Sequence, residues 1–504
     1  MGNGTKIVLT ASAVEMSDFR LNPFTAFLGG FPVPLPSAMR KWLFYPPTPD
    51  NRDGTARFAP YGLRKIEALL MEAFGEENVV TVHPDRLHEF VGPATKVVGI
   101  SSMDPLGMGF VSRTYTGLMG LTGKSMTRDE FERLIKHPVL RKYRPKIVVG
   151  GSGAWQIVKA GLQKELGIDV VVIGQAEGCV VDIFSKLING EPVEPVVYAD
   201  LPDPSAVPII KRPSLYGTVE ITRGCGRNCA FCSPTMRRRI SFPLEHIMRE
   251  VELNAAHGTR MILLQTDDVF LYKVKPRFIP NREAVSELIH RVGSVEDVEL
   301  IQIAHAALAP VVCDRELVED IAPVLVEKSM WRCRGRKCAS VEVGIETGSV
   351  RLFKKHMAGK ALPFRPEEWP DVVVKAVEIM NDNDICPLAT ILVGLPGEEE
   401  EDTKATLDLI EALEGAKVFF VPLLFTAEEE TKLRHEKHKY VEELTELQLE
   451  LFAECWSHNR KVWGSKHLMR SMKVIGAMAY NFYYRWKHGP RIKRPLAKVI
   501  GLID

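Results

Sequence analysis

Gly217–Met236 reads GTVEITRGCGRNCAFCSPTM and contains three of the nine cysteines in the 504-residue chain. Cys225, Cys229 and Cys232 form a CxxxCxxC pattern directly after a β-branched run, 218–222, that predicts a short strand. Three thiolates on one loop can hold three irons of a 4Fe–4S cluster and leave the fourth iron open. A zinc site would need a fourth protein ligand nearby, and the next residues offer no cysteine or histidine. The stretch therefore predicts an iron–sulfur loop at the end of a strand.

An aromatic residue, Phe231, precedes the last cysteine. With it the segment resembles the CxxxCxΦC loop of the radical S-adenosylmethionine (SAM) family, where Φ is aromatic. The resemblance implies a 4Fe–4S cluster on Cys225, Cys229 and Cys232 and a SAM molecule bound at the cluster. The alternative is three unrelated loop cysteines.

The composition is that of a soluble globular protein, with a formal net charge of +1 and 26% charged residues. A chain of this length exceeds a single core, so two or three domains are expected. No apolar run is long enough to span a bilayer, and the N-terminus lacks the plan of a signal peptide. An odd number of cysteines without regular pairing intervals predicts a reducing, cytoplasmic setting, and an exposed cluster suggests an anaerobic one.

The first 200 residues alternate strand and helix patterns. Apolar strands are predicted at Lys6–Thr10, Asn78–Val82, Lys96–Ser101, Lys146–Val149 and Asp169–Ile173. Helices are predicted over Leu63–Phe74 and Ala154–Leu166. Apolar strands between helices indicate a parallel sheet covered on both faces, so residues 1–200 are predicted to form an α/β, Rossmann-like domain.

The turns after three of these strands are candidate ligand contacts, because such a sheet binds ligands at the carboxyl ends of its strands. Taken in order before the cysteine motif, VVGGSGAW and VVIGQAEG resemble the turns of the cobalamin-binding domain in cobalamin-dependent radical SAM enzymes. The resemblance implies cobalamin contacts at Ser102, Met103, Gly150, Gly151, Ser152, Gly174, Gln175, Ala176 and Glu177.

The third turn departs from the pattern of that family, which usually reads GEGE. Gln175 and Ala176 differ from it, whereas Glu177 is retained. The chain also has no DxHxxG motif, so the resemblance implies cobalamin without a protein histidine below cobalt. A degenerate first domain without a cofactor is the alternative.

The proline-rich residues 201–216 predict an extended linker, and residues 217–425 then repeat strand–helix units. Strands are predicted at 217–222, 260–265, 298–304, 339–345, 387–393 and 417–424, and helices near 243–257, 282–292, 315–327, 349–357, 370–382 and 401–413. Six such units suit the partial (β/α)6 barrel of the radical SAM family. In barrels of this kind the chemistry collects at the carboxyl ends of the strands.

Several strand-end residues acquire roles from the same resemblance. Asp267 and Asp268 occupy the place of the family's GGE motif, whose carboxylate contacts the methionine amino group of SAM, and the choice between them stays open. VGIETGS resembles the segment that meets the ribose and methionine, which implies SAM contacts at Glu346, Thr347 and Gly348. LVGLPGE resembles a tight turn near adenine, in which Gly394, Pro396 and Gly397 are expected to be structural.

Cys333 and Cys338 lie in a basic loop, MWRCRGRKC, and could belong to a second cluster, although that would need about four ligands. The scattered Cys179, Cys313, Cys386 and Cys455 are expected to be buried free thiols. Residues 426–504 are predicted to be helical, with Leu444, Leu447, Leu451, Phe452 and Cys455 on one packing face. From Cys455 to Ile503 the chain has eleven Lys or Arg and no acid. This tail could contact anionic lipid, an acidic protein, or its own domains.

The resemblance implies a cobalamin-dependent radical SAM C-methyltransferase. Such an enzyme removes hydrogen from an unactivated sp3 carbon with a 5′-deoxyadenosyl radical and takes the new methyl group from methylcobalamin. The whole-chain plan resembles archaeal enzymes that C-methylate residues of methyl-coenzyme M reductase, a glutamine in particular. An electron donor such as ferredoxin or flavodoxin is implied as a partner.

Other functions remain open at this point. Hopanoid methylases and tetraether ring-forming enzymes share the two-domain plan and would make a lipid the substrate. Non-methylating members of the family would form deoxyadenosine without transferring a methyl group. A corrinoid-based sensor would have no need of the cysteine motif, and no base-stacking or groove-reading motif supports a nucleic-acid partner.

Overall fold

A computed structural model describes residues 3–119 and 123–463. The N-terminal part of it is built on six parallel strands, in the order β2-β1-β3-β4-β5-β6. They are β1 (Ile7–Ala11), β2 (Val79–Thr81), β3 (Val97–Ser101), β4 (Lys146–Gly150), β5 (Val170–Gly174) and β6 (Val196–Ala199). The predicted Rossmann-like α/β domain is thereby confirmed. The edge strand β6 was not predicted; it is short, only four residues long, and half-exposed.

Helices cover both faces of this sheet, and each face has its own apolar cluster. They are α1 (Ser37–Leu43), α2 (Tyr61–Phe74), α3 (Leu87–Phe90), α4 (Phe110–Met119), α5 (Met126–Ile135), α6 (Pro138–Tyr143), α7 (Trp155–Lys159) and α8 (Val180–Asn189). Phe131 and Trp155 pack on one face, and Leu63 and Phe184 pack on the other.

The helix predicted over Ala154–Leu166 is wrong in length, since α7 ends at Lys159. Gly161 adopts a φ of +66°, a left-handed conformation that glycine tolerates and that ends the helix. The Leu162 N–H then donates to the Ile157 carbonyl (3.1 Å), which closes the helix end before the apolar pattern of the sequence stops.

The second part of the molecule is an open barrel. Its strands and two flanking ribbons are β7 (Val219–Glu220), β8 (Thr222–Arg223), β9 (Ile240–Ser241), β10 (Met261–Gln265), β11 (Leu300–Ile303), β12 (Trp331–Cys333), β13 (Arg336–Glu346), β14 (Ile385–Val393) and β15 (Phe419–Leu424). Parallel β7, β10 and β11 form one sheet, and parallel β13, β14 and β15 form another. A single parallel bridge between His305 and Glu342 joins them. All six predicted barrel strands are confirmed.

The barrel helices follow their strands as predicted and form the outer layer. They are α9 (Leu244–Ala256), α10 (Arg282–Gly293), α11 (Leu308–Cys313), α12 (Arg315–Glu327), α13 (Val350–His356), α14 (Trp369–Asp382) and α15 (Glu400–Ala412). One continuous apolar core lies between these helices and the strands. We call the carboxyl ends of the six parallel strands the barrel rim.

Two segments differ from their predictions. The basic stretch around Cys333 and Cys338 is not a loop but an antiparallel hairpin of β12 and β13, because these strands pair from Trp331 to Cys338. The region after Thr426 is not helical at once: α16 (Glu446–Trp463) begins twenty residues later. The intervening segment crosses the barrel rim, where the Leu433 N–H donates to the Ala230 carbonyl (3.2 Å).

α16 packs on β15 and α15, and the buried Leu451, Phe452 and Cys455 lie on its packed face, as the sequence predicted. Most of the basic tail, residues 464–503, lies outside the described residues. Within residues 3–119 and 123–463, no helix has the length and apolarity needed to cross a membrane.

The two parts are joined by polar contacts as well as packing. The Lys65 ammonium of α2 lies 2.5 Å from the Glu250 carboxylate of α9, and the Tyr61 hydroxyl donates to the same carboxylate (2.7 Å). On the other side, the Leu424 N–H at the end of β15 donates to Thr114 of α4 (2.8 Å). These contacts hold the carboxyl ends of the first sheet against the barrel rim.

Candidate functional site

The cysteine loop, residues 224–236, leaves the barrel rim in a sharply curved path. Gly224 and Gly226 both have φ of +77°, and Asn228 has φ of +69°. Glycine and asparagine are the residues that adopt this left-handed conformation most readily. At Gly224 a side chain is also excluded by space, since a Cβ would lie 2.6 Å from the Arg238 carbonyl oxygen. The intervening residues of the motif thus curl the chain so that its three thiols share one region.

Neighbouring segments fix the loop through backbone contacts. The Ala230 N–H donates to the carbonyl of His356 (2.7 Å), at the end of α13. The next residues of that segment also touch the loop: a Cβ on Gly359 would lie 2.1 Å from the Arg227 carbonyl oxygen. Because these are main-chain contacts, the position of the loop depends on the fold rather than on one side chain.

The three thiols interact with one another and with two cations. Burial raises the pKa of Cys225 to about 12, and it also raises the pKa values of Cys229 and Cys232. The Arg227 guanidinium opposes the shift at Cys225, and the Lys360 ammonium opposes it at the other two thiols. Iron would ionise the thiols, and these cations would then offset their negative charge.

The donor set fits the predicted cluster. In a 4Fe–4S cluster each cysteine binds a different iron, so the sulfurs surround the cluster rather than one ion. Among the residues that the structure describes, no three His, Cys, Asp or Glu are placed to hold one metal ion together. Three cysteines on one constrained loop, with cations beside them, match the cluster's needs.

The two aspartates after β10 have different surroundings. Asp268 is buried, and its carboxylate accepts from the N–H groups of Phe270 (3.1 Å) and Ala307 (3.0 Å) and from the Arg227 guanidinium (3.0 Å). Asp267 is half-buried, and its Oδ2 accepts from the Gly224 N–H (2.8 Å), next to the first cysteine. Burial raises the pKa of Asp267. Asp268 is therefore committed to the fold, and Asp267 has the more open carboxylate.

Glu346 ends β13 in an unusual conformation. Its φ is +66°, and the pairing register between β13 and β14 shifts between Gly344 and Glu346. Such bulges redirect a side chain at a strand end. The Glu346 carboxylate accepts from the Lys360 ammonium (2.6 Å) and the Thr390 hydroxyl (3.1 Å). The pair lies directly over Gly344, where a Cβ would fall 2.2 Å from the lysine nitrogen.

Thr347 and Gly348 are positioned by α15 rather than by the rim. The Thr347 hydroxyl lies 3.1 Å from that of Thr406, which also accepts from the Gly348 N–H (3.1 Å). A Cβ on Gly348 would lie 2.3 Å from the Ala405 carbonyl oxygen. The structure accounts for both residues by packing that supports Glu346.

The GLPGE turn after β14 is closed by its own glutamate. The Glu398 carboxylate accepts from the N–H groups of Gly394 (2.5 Å) and Leu395 (3.1 Å). Gly394 and Gly397 have φ of +85° and +80°. These glycines thus have the structural role that the sequence predicted.

Two of the predicted cobalamin turns are in direct contact. The Ser102 N–H donates to the Gly150 carbonyl (2.9 Å), and a Cβ on Gly151 would lie 2.5 Å from the Ser102 carbonyl oxygen. Ser102 is buried and donates to the Glu15 carboxylate (3.1 Å). Met103 is 70% exposed and Ser152 is also exposed, so these two side chains are accessible to a ligand.

The third turn lies elsewhere and binds the barrel. A Cβ on Gly174 would lie 2.5 Å from the Ala199 carbonyl oxygen, so this glycine allows packing on β6. The side chains of Gln175 and Glu177 accept from the Arg223 guanidinium at 2.6 Å and 2.9 Å, and Ala176 between them is half-buried. Arg223 precedes the first cysteine by two residues. This turn therefore connects the first sheet to the base of the cysteine loop.

A cavity of about 230 Å³ lies between the two parts of the molecule. One wall comes from the turns and helices of the first sheet, with Met103 and Ser152 on it, and another from the cysteine loop at Ser233, beside Cys232. The segment after β15 completes it. Its lining residues are Met103, Gly109, Ser152, Trp155, Gln156, Ser233, Glu428 and Glu430. We call it the interdomain cavity.

Five residues of this region were not predicted: Glu15, Arg223, His305, Lys360 and Glu428. Three of them had a usable signal, because a polar residue lies two to four positions after the end of a strand: Glu15 after β1, His305 after β11 and Glu428 after β15. Lys360 gave none, since its place beside Glu346 depends on the path of the chain after α13. His305 pairs with Glu342 at 3.3 Å; burial opposes its charge, but this carboxylate raises the pKa of the imidazole.

Comparison with known proteins supports the barrel's assignment. Residues 219–410 match the radical SAM superfamily, so this part of the chain is a radical SAM domain. Curated relatives include tRNA-2-methylthio-N(6)-dimethylallyladenosine synthases. The one from Saccharopolyspora erythraea is 25% identical over 278 residues, covering 54% of this chain and 52% of the relative, and the one from Mycobacterium leprae is 24% identical over 280 residues, covering 54% and 51%. The chain thus spans about half the length of the curated relatives it matches.

Solved structures extend the likeness to the first sheet. The radical SAM methyltransferase TsrM from Kitasatospora setae, with tryptophan substrate and a SAM analogue bound, has a TM-score of 0.56 at 16% identity and covers 85% of this chain and 75% of its own. A second TsrM structure, with cobalamin and a [4Fe–4S] cluster bound, has a TM-score of 0.54 at the same identity, covering 85% and 74%. Coverage of 85% reaches well beyond the radical SAM domain. The two proteins share a fold.

Proposed function

We propose that this protein is a cobalamin-dependent radical SAM C-methyltransferase that methylates an unactivated sp3 carbon of a protein residue. The observation that carries the proposal is the interdomain cavity. It lies where Met103 and Ser152, two predicted cobalamin contacts, face Ser233 of the cysteine loop. When bound, the cluster and SAM would supply the radical that removes hydrogen, and cobalamin would supply the methyl group. A single space next to both predicted sites is what such a reaction needs, because the reacting groups must meet on one carbon.

Within the barrel, the residues proposed to hold SAM are Asp267 and Glu346. Asp267 is the better candidate of the two aspartates for the amino group of SAM, since the Asp268 carboxylate is already held by Arg227 and two backbone N–H groups. Glu346 is proposed to meet the ribose, with Lys360 and Thr390 fixing its orientation. The bulge at this residue supports the proposal, because bulges are common beside active sites.

In the first domain, the proposed cobalamin contacts divide into two groups. Met103 and Ser152 present accessible side chains at the cavity. Gln175 and Glu177 are proposed to act mainly by binding Arg223, which fixes the distance between the cobalamin domain and the cysteine loop. The likeness to TsrM, which has been solved with cobalamin and a [4Fe–4S] cluster bound, supports this two-cofactor arrangement.

The proposed substrate is a protein side chain, a glutamine of methyl-coenzyme M reductase in particular. The polar lining of the interdomain cavity suits an amide better than a hydrocarbon. A lipid, as for hopanoid methylases or tetraether ring-forming enzymes, is the alternative, and the basic tail is the feature that would favour it. The tRNA substrate in the names of the curated relatives is not carried over, since those matches cover about half of either chain.

The test is an anaerobic reaction of the reconstituted protein with SAM carrying a labelled methyl group. We expect cobalt and about four irons per chain. A glutamine-containing reductase peptide should gain 14 Da and the label, with formation of deoxyadenosine and S-adenosylhomocysteine. Deoxyadenosine without labelled product would indicate a non-methylating member of the family, and a labelled lipid from membrane extract would replace the protein substrate. Binding of iron without cobalt would overturn the cobalamin proposal.

The same proposal includes a cytoplasmic location and a reducing partner. A low-potential ferredoxin or flavodoxin is proposed to reduce the cluster, because SAM cleavage of this kind consumes one electron per event. Replacing a chemical reductant by purified flavodoxin and its reductase in the labelled reaction tests the partner directly. Product formation that depends on flavodoxin would support it.

A further inference from the structure

The interdomain cavity is small and polar. Its volume of about 230 Å³ is below the range of roughly 300–1,000 Å³ that holds drug-sized ligands. Two serines, a glutamine and two glutamates contribute to its lining, and the Trp155 ring provides an apolar wall. A group of the size of one side chain, with a polar end, fits these dimensions and this chemistry.

The acids around the cavity differ in their partners. The Asp104 carboxylate accepts from the Gly109 N–H (2.9 Å) and the Gln156 amide (2.7 Å). Glu430 pairs with Arg237 at 3.2 Å. The Glu428 carboxylate, by contrast, has no hydrogen bond or ion pair with any residue in the described ranges. Among the acids that line the cavity, Glu428 is therefore the one whose carboxylate is free to bind a ligand.

The surroundings of Glu428 bring the pKa of its carboxyl group close to neutral pH. Burial is the largest cause that raises the pKa of Glu428, to about 7, and the nearby Asp104 and Glu430 add to it. Arg237 and Lys159 oppose the shift, but both are engaged by other acids: Arg237 by Glu430, and Lys159 by Glu429 at 3.5 Å. The Glu428 carboxylate is half-buried and has no partner, so an N–H donor from a ligand would be bound in preference to an apolar group.

We propose that the interdomain cavity is the specificity pocket of the substrate and that Glu428 binds the nitrogen-bearing end of the substrate side chain, an amide, amine or guanidinium. This inference rests on the proposed function and narrows its substrate class. The cavity lies between the predicted cobalamin contacts Met103 and Ser152 and the cysteine loop. Anchoring the terminal nitrogen there holds the aliphatic carbons of the same side chain between the two predicted cofactor sites. A hydrocarbon lipid has no group that satisfies Glu428.

The test compares two peptides of the reductase sequence that differ only at the target residue, glutamine or methionine. These residues have similar length, but only glutamine has an N–H donor. With the reconstituted holoenzyme, we expect the glutamine peptide to bind at least tenfold more tightly, by fluorescence anisotropy, because a hydrogen bond to a charged group is lost in the other. E428A should abolish this difference and leave the methionine peptide unchanged. Equal binding of both peptides to the wild type, or no binding of either, would overturn the inference.

Two controls distinguish a specific loss of peptide binding at Glu428 from a general loss of folding. E429Q changes the neighbouring acid of the same segment, which pairs with Lys159, and should keep the tenfold preference. The iron content of E428A should equal that of the wild type, which would show that the cysteine loop is intact in this variant. The preference for glutamine should also strengthen from pH 6 to 8 in the wild type, since Glu428 ionises in this interval, and this trend should vanish in E428A.

The inference and the proposed function fail in different ways. If the glutamine peptide is methylated but E428A binds both peptides as the wild type does, the pocket assignment is wrong and the function stands. If the glutamine peptide binds with the predicted dependence on Glu428 but gains no label, the methyl transfer is wrong and the pocket stands.

Discussion

The chain contains two sets of three neighbouring cysteines, which differ in their place in the barrel and in the residues around them. The rim cysteines, Cys225, Cys229 and Cys232, lie on a curved loop at the carboxyl ends of the barrel strands. The hairpin cysteines are buried at the other end of the strands, beside Val462, Trp331 and Trp463; they are Cys333, Cys338 and Cys386. The third member, Cys386, is distant in sequence and joins the hairpin because β13 pairs with β14.

The difference shows that the surroundings of a thiol, not the number of thiols, decide its chemistry. The rim cysteines have Arg227 and Lys360 beside them, which can offset the charge of thiolates. The hairpin cysteines pack against Trp331, Val462 and Trp463, and Lys417 lies near them; a hydrogen bond between Cys338 and Cys386 lowers the pKa of Cys338. Because Cys338 lies near the start of β13 and Glu346 ends this strand at the rim, eight residues of strand, about 26 Å, separate the two sets. They cannot share one cluster.

Replacing the rim cysteines by alanine tests this contrast with the largest expected effect. The triple variant should lose all four irons per chain and form deoxyadenosine more than about 1,000-fold more slowly, because no other described residues can replace the ligands. Iron analysis and chromatography of the reaction measure both. As the matched control, C313A changes a half-buried cysteine of α11 and should retain iron and activity. Retained iron in the triple variant would refute the assignment.

The role of the neighbouring cation can be separated from that of the thiols. In K360M the Glu346 carboxylate loses its ion pair while the ligands stay in place. We expect iron content close to that of the wild type and a 10- to 100-fold lower rate of SAM cleavage, since Glu346 would lose its orientation. K354M removes an exposed lysine that pairs with Glu367 and should leave the rate unchanged. Loss of iron in K360M would instead show that Lys360 is needed to keep the cluster on the cysteine loop.

The hairpin cysteines are expected to affect stability and not chemistry. C386S replaces the thiol that hydrogen-bonds to Cys338 and packs beside Trp331 by a smaller, more polar hydroxyl, and it should lower the free energy of unfolding by about 1–3 kcal/mol. Urea unfolding measures this effect, and iron content and deoxyadenosine formation should equal those of the wild type. C386V keeps the pocket apolar and should be less destabilising. If C386S lost iron, the hairpin cysteines would belong to a second cluster.

The smallest effect is a pH dependence of the iron-free protein. Burial raises the pKa of Cys225 to about 12, so the native state keeps a proton that the unfolded state releases above pH 9. The stability of the iron-free protein should therefore fall as the pH rises past 9, by somewhat less than about 1 kcal/mol from this group at pH 9.5. Urea midpoints of the wild type and C225A between pH 8 and 10 would show this difference. If the urea midpoints of the two proteins changed with pH in the same way, the Cys225 thiol would be solvated in the native state.

The sequence predicted the elements whose patterns are local. All six barrel strands and the rim cysteines follow from apolar runs and from spacing within one loop. The first sheet was likewise predicted, except for the half-exposed β6. These features could be recognised because each is encoded in a few consecutive residues.

What could not be predicted depends on distant segments meeting. Cys386 looked like an isolated buried thiol until β14 placed it beside the hairpin. Gln175 and Glu177 matched a cofactor turn in the sequence, and only the structure shows them bound to Arg223. Similarly, Asp267 could be proposed over Asp268 as the SAM contact only after the structure had shown which groups each carboxylate binds. Pairings of this kind carry no signal in a single sequence.

The contact between Leu433 and Ala230 has a consequence for the order of biosynthesis. The Leu433 N–H binds the carbonyl of a residue between two rim cysteines, and the two residues are about 200 positions apart. On the ribosome, the cysteine motif is therefore synthesised long before the segment that seats it. The loop gains this backbone contact only once residue 433 has been synthesised, so the cysteine site is completed after all the barrel strands have been made.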